Sequence, residues 1–240
     1  KSLFLSPMAY IVVAVFMAII SHFIVVNLAQ AEMRGAFSLI ATLFIFVMPF
    51  LTMRVFSEEF STGTDELLMT SPLKLWEIVA GKYFAVMALV AAVLLLSCEY
   101  LVVLELYGDP DWGPIGAGYL GLLLLGGAFA SFGVFASSLS KDQIVSALTA
   151  FGGALFLIGI EVLAFVFESG FFRGVLEGLG LENPAGAADT VADALGKIGI
   201  LSHYMDFDKG IIDTAHIVYY LAFIFVFLFL TVRKLEARRW

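Results

Sequence analysis

The sequence predicts an all-α polytopic membrane protein with six transmembrane helices, on three observations. Hydrophobic residues make up 61% of its 240 residues and charged residues only 14%, against roughly a quarter charged in soluble domains. Its apolar runs reach the roughly 20 residues that a helix needs to cross a bilayer at about 1.5 Å per residue. The period-2 alternation of a membrane barrel is absent, and lipid leaves helices as the only other way to satisfy the backbone.

The six spans fall at residues 7–28, 37–53, 79–107, 115–139, 144–167 and 215–232. The second and sixth are short, so their ends are the least defined. The first run lacks a small-residue cleavage site and is long enough to stay as an anchor rather than leave as a signal peptide. All six belong to one domain, residues 1–240, with two polar inserts at 54–82 and 168–213. Cys98 is the lone cysteine and lies in an apolar run, so it has no internal disulfide partner. The net charge of −8 argues against nucleic acid, which calls for a basic face.

Lysine and arginine set the orientation. One side carries Lys1, Arg54, Lys74, Lys82, Lys141 and the Arg233–Arg239 cluster; the other carries Arg34, Arg173, Lys197 and Lys209 and most of the acidic residues. The first side is therefore expected in the cytoplasm, with both termini. Trp76, Trp112 and Trp240 fall near the expected water interfaces, where amphipathic rings settle.

The 54–82 insert is longer than a connection requires. Thr62 precedes Asp65 by three residues, ahead of Leu67, Leu68 and Met69, a capping pattern before an apolar patch. Asp65 and Glu66 suit the first turn of a helix, and Ser71-Pro72 stops it. A helix of about two turns is unstable alone in water and must pack on something. It could lie on the headgroup layer, although such anchors favour a basic polar face, or dock into a soluble partner.

Gly81-Lys82 resembles the end of a P-loop, but Trp76 holds the first glycine position and Tyr83 follows the lysine. Without glycines the backbone cannot fold around phosphates. No HExxH or GxSxG occurs, and His22 is the only histidine in its span, so no catalytic residues are assigned. His203 and His216 lack ligand spacing, and no metal site is expected. Glu99 and Glu161 are ionisable groups within spans and candidates to line a pathway; both, with Glu105, lie near the outer interface. Six glycines of span four, from Gly116 to Gly133, fit close helix packing, and Pro49 could kink span two. Val191, Leu195 and Ile198 fit a short amphipathic helix in the outer insert.

The pattern Phe56, Glu58-Glu59, Gly63-Thr64, Glu66-Leu67-Leu68, Ser71-Pro72, Gly81-Lys82 resembles the loop after the second span in permeases of type-2 ABC exporters (ABC-2). Residues 3–16, 137–147, 201–213 and 235–240 resemble, in order, further segments of the gliding-motility GldF-like branch, so the likeness covers the whole chain. Phe60 stands where that family often has Arg or Lys, and Asp142 where Asn is usual. The resemblance implies that Glu58, Glu59, Gly63, Thr64, Glu66, Leu67, Leu68, Ser71 and Pro72 form a cytoplasmic coupling helix between helices 2 and 3. It further implies a long, partly helical outer loop with a re-entrant element between helices 5 and 6, and a short amphipathic helix before span one in which residue 1 falls. The implied function is that of the permease subunit of a multi-subunit exporter in the cell inner membrane. ATP and Mg would sit on a separate GldA-like ABC ATPase, with a second permease copy or a GldG-like membrane protein completing the path. The alternatives are an ion-coupled secondary carrier using Glu99 and Glu161, or an intramembrane enzyme.

Overall fold

A computed structural model of the chain describes residues 7–27, 33–64, 73–107, 111–169 and 184–239. They form ten helices in chain order: α1 Pro7–Asn27, α2 Arg34–Thr52, α3 Ser57–Thr62, α4 Leu75–Ser97, α5 Glu99–Tyr107, α6 Trp112–Leu139, α7 Gln143–Glu168, α8 Pro184–Gly196, α9 Ile200–Asp208 and α10 Thr214–Arg239.

Among the described residues, five helical stretches are long and apolar enough to cross a membrane: Gly35–Thr62, Leu75–Leu106, Trp112–Leu139, Gln143–Phe167 and Thr214–Arg238. The apolar stretch counted in α1, Val13–Phe23, is shorter. The Leu75–Leu106 stretch is one rod with a flaw: the Cys98 amide bonds back to Leu95 O at 3.1 Å and α5 resumes at once. It begins four residues before the apolar run expected at 79, because the Glu77 carboxylate accepts the Lys74 N–H at 3.0 Å and starts the first turn at Leu75. The α6 and α7 starts are fixed by Asp111 and Asp142, whose carboxylates accept the amides of Gly113 at 3.2 Å and Ile144 at 2.8 Å.

Helix α6 is the axis, buried along most of its length between α2, α4, α9 and α10. Glycine is what lets the neighbours in. A Cβ on Gly118 would lie 2.4 Å from the Phe37 ring, and one on Gly133 would lie 2.2 Å from Thr52 Oγ1. In lipid such close approach supplies helix association through dispersion contact. The main core joins Phe16, Phe37, Phe44, Met48, Leu122 and Leu125 with α9 residues Ile200, Tyr204 and Phe207. A smaller cluster at the other end joins Phe56, Phe60, Ile78, Val79, Tyr83, Val134 and Leu235.

The helices run alternately, so the ends of α2, α6 and α10 and the starts of α4 and α7 share one end of the bundle. Among the described residues of the 168–213 insert are two short helices: α8 packs along α7, and α9 folds inward among α6, α7 and α2. Gly210, with φ 86, turns the chain from α9 back to α10 against Pro114.

Candidate functional site

The insert after α2 begins with a break. Residues 53–56 interrupt the regular α-helix as a turn: the Met53 amide still reaches Pro49 O at 2.9 Å, but the Val55 amide is drawn up to Thr52 O at 3.0 Å before α3 begins. Such a break leaves backbone groups that must find partners, and for the Phe56 and Ser57 amides and the Met53 and Val55 carbonyls these come from distant helices. Ser137 Oγ, on α6, accepts the amides of Phe56 at 2.9 Å and Ser57 at 3.2 Å and donates to Met53 O at 3.0 Å. Ser137 is fully buried, so one hydroxyl serves both sides of the break. Ser57 Oγ also donates to Met53 O. Lys82 Nζ, on α4, donates to Val55 O, pairs with Glu59 Oε1 at 2.6 Å and stands 4.4 Å from the Phe56 ring centroid.

The apolar side of α3 packs downward. Phe56 and Phe60 stack with centroids 6.0 Å apart, and the Arg238 guanidinium of α10 covers Phe60 at 3.8 Å. Three spanning helices therefore hold a six-residue helix that would not persist alone. Its opposite side is exposed and carries Glu58, Ser61 and Thr62.

The residues expected at this site divide three ways. Glu58 is exposed, and Glu59 is turned inward onto Lys82. Gly63 has φ 70 and closes α3, with its amide and that of Thr64 returning to Glu59 O. Glu66, Leu67, Leu68, Ser71 and Pro72 lie outside the described residues, as does Asp65. Thr62 is the last residue of α3, and its hydroxyl donates backward to Glu58 O at 2.9 Å; the helix expected to follow it, with Asp65 as its capping partner, lies outside the described residues. Gly81 and Lys82 sit inside α4, where their amides belong to the helix ladder. Phe60 fills the packed side of α3 at a position where a basic side chain would have to point into the Phe56 cluster.

At the opposite end, Glu99 is exposed at the first turn of α5. Glu161 has a defined task. Its Oε1 accepts the Ser202 amide at 3.0 Å and the Leu201 amide. These are the second and third amides of α9, the ones an N-cap side chain serves. The N-cap residue itself is Gly199, which has no side chain, and a Cβ there would lie 2.6 Å from Glu161 Cγ. The carboxylate of α7 thus replaces a local cap and ties α9 into the bundle.

His203 and His216 share no ligand spacing in sequence, yet their rings stand 5.0 Å apart because the Gly210 turn folds α9 onto α10. Asp206 Oδ2 lies 2.9 Å from His216 Nε2, and Asp206 Oδ1 accepts from Lys209 at 3.1 Å. His203 stacks on Tyr219 at 3.9 Å and bonds Gly199 O through Nδ1 at 2.7 Å. Burial pushes the His203 imidazole below its ordinary value. The Lys209 ammonium, then His216, holds the Asp206 carboxyl below the usual carboxylate range. Among the described residues no group of three His, Cys, Asp or Glu side chains converges as a metal-ligand set. No protein-family model matches the chain, and no curated protein is significantly similar to it.

Proposed function

We propose that this chain is the membrane-spanning permease subunit of an ABC-type exporter, crossing the cell inner membrane six times with both termini in the cytoplasm. The observation that carries the reading is the construction of the 53–64 segment. A short helix whose exposed side carries Glu58 is seated on one end of the bundle by Ser137, Lys82 and Arg238, at the position where the sequence resembles an ATPase-coupling loop. A loop that only linked α2 to α4 would need no such seat. The charge distribution agrees, since Arg54, Lys74, Lys82, Lys141 and Arg233 share this end and would face the cytoplasm.

In this reading a separate GldA-like ATPase binds ATP and Mg and grips the segment that continues from α3 through residues 65–72. Leu67 and Leu68 supply the desolvated anchor, while Glu58 and its neighbours pair with basic groups and set register. The chain is a permease and not an enzyme. Closure of the ATPases moves the segment and switches the path at the interface with a second permease copy or a GldG-like partner.

The test is a mild-detergent pull-down of the full chain and of its Leu67→Asp/Leu68→Asp variant. The parent chain should bring down a nucleotide-hydrolysing subunit, and the variant should insert in the membrane but lose it. Full retention by the variant, or no ATPase with the parent, overturns the reading.

A further inference from the structure

We propose that Ser137 and Lys82 are positioning residues that clamp the 53–56 break, so that any displacement of α3 is delivered to α6 and α4 as one body. The proposal rests on the permease reading only for what drives α3. The clamp stands on geometry alone.

An unclamped break would behave as a hinge. Over 53–56 the regular α-helix is interrupted, with only the Met53 amide on Pro49 O and the Val55 amide on Thr52 O held locally, and freed backbone groups at such a point are what allow a helix to bend. Force applied to α3 would then be absorbed by φ and ψ rotation at 53–56 and would reach α2 weakly. The structure closes this joint from both flanks. Ser137 bonds Met53 at the start of the turn and Phe56 and Ser57 at its end, across 80 to 84 residues of sequence. Lys82 takes the carbonyl between them, at Val55, and with the same ammonium holds Glu59 on the first turn of α3. Each anchor therefore joins the turn to a different spanning helix. Leu235 and Arg238 of α10 close the third side over Phe60.

The seat also explains the side-chain types. Bonding one carbonyl and two amides calls for a group that donates and accepts at once from a short stem, which a serine hydroxyl does. Reaching a carbonyl and a carboxylate from the neighbouring helix calls for a long stem with several donors, and Lys82 supplies both. Because Ser137 lies two residues before the end of α6, motion delivered there enters the central axis of the bundle at its tip.

The experiment places nitroxide labels at Ser61→Cys on α3 and Lys141→Cys beyond α6, both exposed, in a Cys98→Ala chain reconstituted in nanodiscs. Pulsed dipolar spectroscopy should give one narrow distance. Ser137→Ala and Lys82→Met should each broaden it, and Lys82→Arg should return it towards the parent width. Unchanged narrow distances in both Ser137→Ala and Lys82→Met overturn the clamp. Should neither variant yield folded protein, hydrogen exchange on the parent chain decides. Phe56 and Ser57 amides protected to the level of α6 core amides support the clamp, and rapid exchange at both overturns it. In complexes with the co-purifying ATPase, Ser137→Ala should keep the subunit bound but lower permease-dependent stimulation of hydrolysis. Absence of any ATPase from the parent sinks the functional reading and leaves the label and exchange results to judge the clamp.

Discussion

Replacing Glu161 by alanine should release α9 from the bundle without unfolding the rest. The carboxylate accepts two amides, of Leu201 and Ser202, and the residue that would ordinarily cap them is Gly199. Hydrogen bonds to charged groups contribute about 1.5–3 kcal/mol each, and loss of an N-cap alone costs about 0.5–2 kcal/mol. Water can reach part of the vacated space and serve the freed amides, so the loss falls to the upper end of the capping range, about 2 kcal/mol. At about 1.4 kcal/mol per factor of ten, that speeds opening of α9 roughly 30-fold. Hydrogen exchange by mass spectrometry in detergent micelles reads it directly. Peptides covering 200–208 should exchange about 30-fold faster in Glu161→Ala, while α2 and α6 peptides keep their rates. Glu161→Gln retains a carbonyl oxygen and should cost less. Unchanged exchange at α9 in the alanine variant, or equal damage from glutamine, would refute the capping argument.

Other expectations follow the same geometry. Gly199→Ala should expel the carboxylate, because its Cβ would meet Glu161 Cγ at 2.6 Å, and combined with Glu161→Ala its effect should be far less than additive in a double-mutant cycle. Gly133→Ala should lower the thermal midpoint by overpacking the α2–α6 contact at about 1–3 kcal/mol, with Thr52→Ala giving partial recovery in the same melting assay. Gly63→Ala should cost about 1 kcal/mol in the left-handed cap of α3, read as faster exchange at Gly63 and Thr64 amides. Acid should loosen α9. His203, depressed by burial, contributes fully above its unfolded value of about 6.5 and less as pH falls through its folded value. Asp206, depressed chiefly by Lys209, follows below about 4. Exchange at 200–208, corrected for the intrinsic rate, should therefore rise from pH 7.5 to 5.5, and His203→Gln should flatten that part of the profile.

What was legible in the sequence was set by locality. Long apolar runs marked α2, α4, α6, α7 and α10 because composition over some 20 residues is enough to report a span. The glycines of α6 announced close packing, but not that Gly133 faces Thr52 or Gly118 faces Phe37. The short helix after α2 was expected over 63–71 from Thr62, because a capping pattern is a local signal. The helix at 57–62 has no such signal: its first amides are served by a serine 80 residues away. Glu161 was legible as an ionisable group within a span near the outer interface, but its partners, two amides on α9, have no side-chain signature and could not be read from the sequence. The meeting of His203 with His216 depended on one left-handed glycine at position 210.

The attachment of α9 carries a lesson about assembly order. Tyr220 donates to Ile200 O at 2.7 Å and Tyr219 to Ile198 O, just before α9, at 2.6 Å, so part of its mooring belongs to α10, which is made after it. A ribosome delivers residues 200–208 after Glu161 but before those tyrosines. Until α10 threads into the bilayer, this piece has only its older neighbours to hold it. A chain arrested before Tyr219 should therefore display 200–208 to added protease, and one released past residue 239 should hide it.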